Sequence, residues 1–358
     1  MSFAFGFTEE ESSDNEIAYT QERTSGEEGI SLAIDQDPLY DKENEPKSWK
    51  LEEILTSLLG SRISFKPFFT PGGHNVVYRR EMFDIRHQVM MEDEAIKDKR
   101  VAKVLLDDSD SNLDLQSGIY EGGFKTWEGA NDLVDEFQRR IDDGRFWFQN
   151  ILELGCGTAV PTCFLLKDKF EKNNRDEVVF TVTDFNYDVF RLATVPNLII
   201  NWALTLPPEK LTALTQGEDN PVVQNDELLL THALLEGFKN QLSYFNITLK
   251  FISGPWGRQF LNLLSQDAID LVISAETIYS PNSQLLVSEI ILHILSASSS
   301  KIPLALVAAK NMYFGVGGSV VDFVSYLHKI KSDSITISIN DVPESQLKRK
   351  IIAVESNL

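Results

Sequence analysis

An α/β fold built on a mostly parallel sheet is predicted for residues 116–358. Apolar, β-branched segments alternate with helical patterns here, which is typical of β-α units that form parallel sheets. The last two strand candidates are joined by a short polar turn near Pro343, so the sheet should close with a hairpin. An NAD-binding Rossmann domain would more often continue with another β-α unit. The strand candidates are 150–154, 178–184, 247–252, 269–274, 303–309, 334–340 and 349–355.

The first 46 residues form an acidic head with 13 Asp/Glu and 2 Lys/Arg. Few aliphatic side chains follow Phe3, Phe5 and Phe7, so we expect the head to be largely disordered. The three phenylalanines themselves suit either a short edge strand or a docking peptide.

Residues 47–115 are predicted to form an N-terminal extension. It opens with an amphipathic helix through Trp49 and Leu59 and continues into strand-like segments at 62–69 and 75–80. Farther along, the polar segment 205–225 is expected to be an inserted loop.

The charge of the chain indicates which partners it suits. The net charge is −21, and the head contributes −11 of it (13 acidic against 2 basic residues). An acidic protein repels nucleic-acid phosphates and attracts basic partners. We therefore expect a basic protein partner and no direct nucleic-acid binding. A head that only keeps the chain soluble is the alternative.

Membrane, disulfide and metal chemistry are not indicated. No run of about 18 apolar residues occurs, and the first residues lack the basic flank of a signal peptide. Two cysteines, Cys156 and Cys163, suit a reducing compartment. The five histidines lack metal-ligand spacing. We expect a soluble intracellular chain without a metal or a membrane partner.

The strongest local signal is Ile-Leu-Glu-Leu-Gly-Cys-Gly-Thr at 151–158, between a strand and a helix. Gly155 and Gly157 let the backbone approach a ligand closely. Asp184 ends the next strand, where a carboxylate is placed to bind two ribose hydroxyls. A purely structural turn is the alternative for the glycines alone, but the pair predicts a nucleoside-containing cofactor. Ala159 replaces the third glycine, which is a small departure.

Residues after the other strands point to the same crevice. Ser274, Glu276 and Tyr279 follow a strand in the segment 270–279, and ligands of open α/β sheets lie beyond such strand ends. For Glu276 the alternative is an acid that favours a helix N-terminus. The indole of Trp256, after another strand, can flank an adenine ring or simply pack.

Two glycine-containing blocks remain. In 120–130, Gly122 and Gly123 give a tight turn before a helix whose N-terminus can receive a carboxylate. Block 309–318 predicts a substrate-facing wall, with a mobile loop as the alternative. No Lys-Ser/Thr pair follows its glycines, which excludes a P-loop, and no G-x-S-x-G elbow indicates a serine hydrolase.

Over residues 115–330 the chain resembles the eukaryotic histidine protein methyltransferases, which methylate a histidine of a large-subunit ribosomal protein. The Tyr-Phe-Gly-Val-Gly-Gly run favours this family over related protein-lysine methyltransferases. The resemblance implies a Rossmann-like, seven-stranded class I methyltransferase sheet with an N-terminal helical and β extension. The matching segments are 122–128, 153–157, 184–186, 194–197, 253–256, 276–279 and 313–318.

The resemblance also implies S-adenosylmethionine as cofactor and transfer to the distal (tele) histidine nitrogen. Glu276 is the candidate acceptor that fixes the substrate tautomer, and Tyr279 would shape the channel. A monomer working in cytoplasm and nucleus is expected. The implied cofactor contacts are Lys125, Thr126, Trp127, Glu128, Gly129, Glu153, Gly155, Gly157, Asp184, Phe185, Asn186, Gly254, Pro255, Trp256 and Ser274.

Two other functions stay open at this point. One is a protein-lysine methyltransferase of the same superfamily. The other is a non-catalytic carrier or assembly factor for a basic ribosomal protein, with the acidic head as its working surface.

Overall fold

A computed structural model describes residues 32–36, 45–73, 75–91, 99–106, 121–215, 226–264, 268–298, 300, 302–343 and 348–356. From Leu32 onward the chain forms one compact unit. Its strands, in chain order, are β1 (Lys47–Trp49), β2 (Arg62–Phe69), β3 (Val76–Arg80), β4 (Asn150–Leu154), β5 (Val178–Asp184), β6 (Glu227–Leu229), β7 (Ile247–Ser253), β8 (Leu271–Ala275), β9 (Leu304–Lys310), β10 (Ile335–Asp341) and β11 (Arg349–Ser356).

The central sheet has eight strands in the order β1-β7-β5-β4-β8-β9-β11-β10. Neighbours from β7 to β9 are parallel, and β11 and β10 close the sheet as an antiparallel hairpin. The seven predicted strands are confirmed, with ends shifted by one or two residues. The eighth, β1, pairs antiparallel with β7 and comes from the extension.

Both faces of this sheet are buried, which explains why its central strands are mostly apolar. Because side chains alternate along a strand, Ile151 belongs to the hydrophobic core on one face of the sheet, whereas Leu152 belongs to the core on the other face. No described helix is long and apolar enough to span a membrane. The helices are α1 (Leu51–Leu58), α2 (Met82–Met91), α3 (Lys99–Leu106), α4 (Glu128–Asp142), α5 (Val160–Glu171), α6 (Tyr187–Val189), a π-helical turn (Phe190–Thr194), α7 (Val195–Ala203), α8 (Pro208–Thr215), α9 (His232–Tyr244), α10 (Arg258–Leu264), α11 (Pro281–Ala297) and α12 (Val320–Ile330).

The extension also builds a second, three-stranded sheet. Its order is β3-β2-β6, so the predicted strands at 62–69 and 75–80 are confirmed and joined by a short later strand. Side-chain amides of α7 satisfy the backbone of β3. Asn201 accepts a hydrogen bond from the Tyr78 N–H (2.9 Å) and donates one to the Tyr78 carbonyl (2.7 Å). Asn197 accepts one from the Arg80 N–H (2.7 Å).

The predicted loop at 205–225 is wrong for its first half. Helix α8 lies there, and its Leu211 and Leu214 pack on the main core. Two leucines three residues apart are too short an apolar pattern to stand out from polar surroundings, although Pro208 suits a first helical position. Residues 216–225 lie outside the described residues.

Of the acidic head, the structure describes residues 32–36 and 45–46, so the expectation of a largely disordered head stays a prediction. Residues 32–36 contain a 3₁₀ turn whose Ile34 is 1% exposed and packs in the core beside α11. The N–H groups of Ala33 and Ile34 donate to the Glu289 carboxylate (3.0 and 2.8 Å). Asp35 pairs with Arg258. The acidic average composition of residues 1–46 gives no indication of this short apolar anchor. Residues 1–31, including Phe3, Phe5 and Phe7, and residues 37–44 lie outside the described part.

Ile34→Ala should therefore destabilise the fold. Removing a buried isoleucine side chain typically costs about 2–5 kcal/mol. Asp35→Asn, which removes an exposed ion pair beside it, should cost less than about 1 kcal/mol. Urea unfolding measures both, and equal midpoints for Ile34→Ala and wild type would contradict the anchor.

Candidate active site

A cavity with about 830 Å³ of empty space opens at the carboxyl ends of β4, β5, β7 and β8. The lining residues are Glu121, Gly122, Gly123, Lys125, Trp127, Ala130, Glu153, Gly155, Cys156, Gly157, Thr158, Asp184, Phe185, Gly254, Trp256, Ala275, Glu276, Thr277, Tyr279, Ser283 and Leu286.

The turn after β4 explains why its glycines are needed. Gly155 and Gly157 have φ of +63° and +50°, in the left-handed region that disfavours side chains. A Cβ on Gly155 would lie 2.8 Å from Thr277, and one on Gly157 would lie 2.9 Å from the Gly123 carbonyl. Ala159 also has positive φ, +51°, at the start of α5. Alanine there accepts a backbone strain of about 1–2 kcal/mol that glycine would avoid.

Asp184 joins the ends of β4 and β5 at the cavity. Its Oδ2 accepts a hydrogen bond from the Gly157 N–H (2.9 Å), and its Oδ1 accepts one from the Asn186 N–H (3.1 Å). Burial nevertheless raises the pKa of Asp184 to about 6. The carboxylate is thus held in place and disposed to bind hydroxyl donors or a cation.

Glu153 is a second buried carboxylate on this wall. It is 3% exposed and accepts a hydrogen bond from the Thr162 hydroxyl. Burial outweighs that bond and raises the pKa of Glu153 to about 8. With Glu121, Asp184 and Glu276, four carboxyl groups line the cavity, against one basic lining residue, Lys125, in the described chain. This arrangement favours a positively charged ligand.

Glu276 follows β8 directly and does not cap the next helix in the chain, α11. Helix α11 begins at Pro281, where the Ser280 side chain provides the cap. Glu276 has a φ of +59°, its Oε1 accepts from the Gly129 N–H (3.1 Å), and its Oε2 accepts from the Tyr313 hydroxyl (2.5 Å). Burial raises its pKa. Glu276 therefore does not cap the helix that follows it, but it accepts from the first turn of α4, so an acid at a helix N-terminus stays open as an interpretation beside a catalytic carboxylate.

Aromatic side chains complete the wall. The Tyr279 hydroxyl donates to Glu121, and burial raises the pKa of Tyr279. Trp256 lies beside the glycine turn, 3.6 Å from the Cβ position of Gly155. Trp127 donates from its indole N–H to the Gly122 carbonyl (3.2 Å), and the Lys125 and Lys310 ammonium groups lie over its ring.

The cavity wall brings together most of the residues singled out from the sequence. Glu276 and Tyr279, the predicted catalytic pair, are both on the wall. Of the predicted cofactor contacts, those on the wall are Lys125, Trp127, Glu153, Gly155, Gly157, Asp184, Phe185, Gly254 and Trp256. Those placed behind or beside it are Thr126, Glu128, Gly129, Asn186, Pro255 and Ser274.

Most of these outer residues hold the wall in position. The Thr126 hydroxyl bonds to the Thr158 hydroxyl (2.9 Å), and Glu128 pairs with Lys310 (3.3 Å). Ser274 is fully buried and donates to the Leu154 carbonyl (3.2 Å). Its hydroxyl is within 2.6 Å of the Thr277 hydroxyl, which leaves it engaged behind the wall.

Sequence reasoning did not assign several wall residues. Thr277 lies inside the Glu-x-x-Tyr block and Gly123 inside the glycine turn before α4, so position within a motif was an available signal. Ser283 and Leu286, one turn apart on α11, have no local signal because their side chains resemble those of any core-facing helix. The others are Glu121, Gly122, Ala130, Cys156, Thr158 and Ala275.

Comparison with known proteins shows the family to which this chain belongs. The sequence is 38% identical to histidine protein methyltransferase 1 of Saccharomyces cerevisiae, covering 100% of this chain and 99% of that protein. It is 31% identical to the protein of the same name from Schizosaccharomyces pombe, covering 98% and 92%. No family model matches the chain.

Among solved structures, the plantazolicin methyltransferase BpumL in complex with SAH is 13% identical, with a TM-score of 0.38, covering 76% of this chain and 94% of that one. A TM-score of 0.38 is too low to support the fold assignment, so the fold class rests on the strand order given above. The family resemblance predicted from the motifs is confirmed by the two full-length relatives. The chain belongs to the histidine protein methyltransferase 1 family.

Proposed function

We propose that this protein transfers a methyl group from S-adenosylmethionine to the distal nitrogen of a histidine in a large-subunit ribosomal protein. The full-length similarity to a histidine protein methyltransferase carries the proposal and supports an S-adenosylmethionine-dependent enzyme that acts on histidine. A net charge of −21 supports a basic substrate, because opposite charge steers encounter. A monomer acting in cytoplasm and nucleus, where ribosomal proteins are made and assembled, belongs to the same proposal.

The cavity fits S-adenosylmethionine, which supplies an electrophilic methyl group on a sulfonium. Gly155 and Gly157 leave room for close approach, and Asp184 presents a carboxylate suited to ribose hydroxyls. The excess of carboxyl groups suits the positive charges of the sulfonium and ammonium. Lys125, the basic residue on the described wall, is suited to the methionyl carboxylate.

Methylation of a histidine requires little proton transfer by the protein. The unperturbed pKa near 6.5 leaves imidazole mostly neutral at cellular pH. The substrate needs one tautomer, with its proximal N–H donated to the protein and its distal nitrogen facing the methyl group. Each oxygen of Glu276 accepts one bond from the protein and retains a lone pair for a further N–H. Its negative charge would also stabilise the imidazolium that forms.

The two rival functions fit the cavity less well. A lysine amine, with a pKa near 10.4, must lose a proton before it attacks. Ionised carboxylates on the wall, such as Asp184, would hold that amine in its charged form. A carrier protein does not require glycines at positions where any side chain would collide with its neighbours. It does not require buried carboxyl groups beside them either.

Mass spectrometry of large-subunit ribosomal proteins from a strain that lacks this gene tests the proposal. We expect one histidine to lose a single methyl group, restored by wild type. Loss of a lysine methyl group would establish the first rival. An unchanged methylation pattern would leave the carrier function and overturn the proposal.

The pH dependence of stability should identify Glu153 as a buried acid. Its pKa of about 8 lies above the ordinary value of 4.5, so the folded cofactor-free protein binds more protons than the unfolded chain between these values. By linkage, stability is lost as pH rises through that window. Glu153→Gln should therefore show a smaller fall in Tm from about pH 6.5 to 8.5 than wild type.

Asp184→Asn is the matched control, since the pKa of Asp184 is about 6 and most of its titration lies below pH 6.5, where the measurement begins. A cationic cofactor favours ionised Glu153, so cofactor affinity of wild type should rise with pH across the window, and that of Glu153→Gln should stay flat. Parallel curves for Glu153→Gln and wild type in both measurements would contradict this role.

Glu276→Gln tests the proposed acceptor. The amide can accept from Gly129 and donate to the Tyr313 oxygen, so fold and cofactor affinity should be retained. It stabilises a positive charge less well, and the single-turnover rate should fall roughly 10²-fold. Single-turnover assays measure the transfer rate, thermal melts measure stability, and calorimetry measures cofactor affinity. Undiminished turnover in a folded variant would remove Glu276 from the mechanism.

A further inference from the structure

The loop after β9 presents three large apolar side chains to solvent. Met312, Phe314 and Val316 are 53%, 84% and 41% exposed, and Phe314 has the largest exposed fraction of any large apolar residue in the described chain. Scattered single exposures need no explanation, but three large apolar side chains exposed within five residues of one loop are a candidate interaction surface. We call these three residues the apolar rim.

Backbone hydrogen bonds fix the loop that carries the apolar rim. The Tyr313 N–H donates to the Gly318 carbonyl (2.8 Å), and the Gly318 N–H donates to the Tyr279 carbonyl (2.9 Å). A Cβ on Gly318 would lie 2.3 Å from the Ile278 carbonyl, so the base of the loop is seated on the Glu276–Tyr279 segment. The rim is therefore displayed by a defined conformation of the backbone.

The same loop contacts the cavity-lining residue Glu276 through Tyr313. This residue lies between two exposed rim residues in sequence, but its side chain turns inward and donates to Glu276 (2.5 Å). Its oxygen also accepts from the Lys310 N–H (3.3 Å). Residues adjacent to Tyr313 in the chain are therefore near the position that a substrate histidine would occupy at Glu276.

The charges around the loop indicate what kind of contact it makes. Lys310 precedes the loop, and the Asn311 N–H donates to the Lys348 carbonyl (2.9 Å), which brings a second lysine residue to its base. The overall acidity of the chain attracts a basic substrate, but basic side chains of that substrate cannot form ion pairs with these two lysines. Apolar contact is the interaction that this part of the surface offers.

We infer that the apolar rim is the docking surface for the polypeptide segment that flanks the target histidine, and that this segment contributes an apolar side chain to it. The inference rests on the proposed function. The rim then supplies ground-state affinity for the protein substrate, while Glu276 acts on the histidine itself.

Phe314→Ser tests the rim, with Phe69→Ser as the matched control. Phe69 is 59% exposed and lies on β2 of the three-stranded sheet. The methyl acceptor is large-subunit ribosomal protein purified from a strain that lacks the gene, and the readout is radiolabelled methyl transfer against acceptor concentration. Phe314→Ser should raise KM about tenfold, the loss typical of a central apolar contact. Its kcat, Tm and cofactor affinity should match wild type, and Phe69→Ser should change none of them.

The outcomes are distinguishable. If wild type transfers no methyl group to histidine, the proposed function fails. If wild type is active and Phe314→Ser retains its KM, the docking inference is overturned while the function stands. If the variant changes self-association by analytical ultracentrifugation, or sedimentation with anionic vesicles, without changing KM, the rim serves a second copy or a lipid surface and the inference is likewise overturned.

A reciprocal experiment locates the partner side chain. In synthetic peptides around the methylated histidine, replacing apolar flanking residues one at a time by serine should raise KM for wild type at one position. For the peptide changed at that position, the Phe314→Ser enzyme should show little further rise in KM, because the two changes remove the same contact. Independent, multiplicative losses at every position would exclude direct contact with the rim.

Discussion

The hydrogen bond from the Gly157 N–H to Asp184 is the contact on which the rest of the site depends. It joins the turn after β4 to the end of β5 and fixes the backbone that a ligand must approach. The same turn is supported from α7 and its π-helical start. Thr194 donates to the Gly157 carbonyl (2.7 Å), and Asn197 donates to the Thr158 carbonyl (2.8 Å). Since Asn197 also accepts from the Arg80 N–H, the three-stranded sheet is tied to the glycine turn.

Burial of carboxyl groups beside this turn has an electrostatic consequence. Glu153, Asp184 and Glu276 all have raised pKa values because burial disfavours their charged forms. Backbone and hydroxyl donors offset only part of that cost. A cationic ligand would offset more of it, so the same arrangement that lowers the stability of the cofactor-free protein favours binding of a sulfonium. Perturbed acids in a cleft are thus expected of a binding site and are weak contributors to the fold.

Sequence patterns predicted the parts of this molecule that depend on local rules. Alternating strand and helix periods located the seven main strands, and the glycine turn with Asp184 located the cavity. Contacts between distant residues left no such pattern. The anchoring of Ile34 requires Glu289 on α11, and β1 becomes a strand only because β7 offers an open edge. The partners of Glu276 are likewise remote, at Gly129 and Tyr313.

Glu276 is the point at which the two sides of the cavity meet. One oxygen accepts from the first turn of α4, beside Lys125 and Trp127, and the other accepts from the loop that carries the apolar rim. Its positive φ costs about 1–2 kcal/mol for a residue with a side chain. That strain places the carboxylate at the strand end ahead of the Ser280 cap, with both oxygens oriented before any substrate arrives. In the proposed reaction, a carboxylate already oriented by Gly129 and Tyr313 would not have to reorganise as charge develops on the imidazole, and such preorganisation is the main source of electrostatic catalysis.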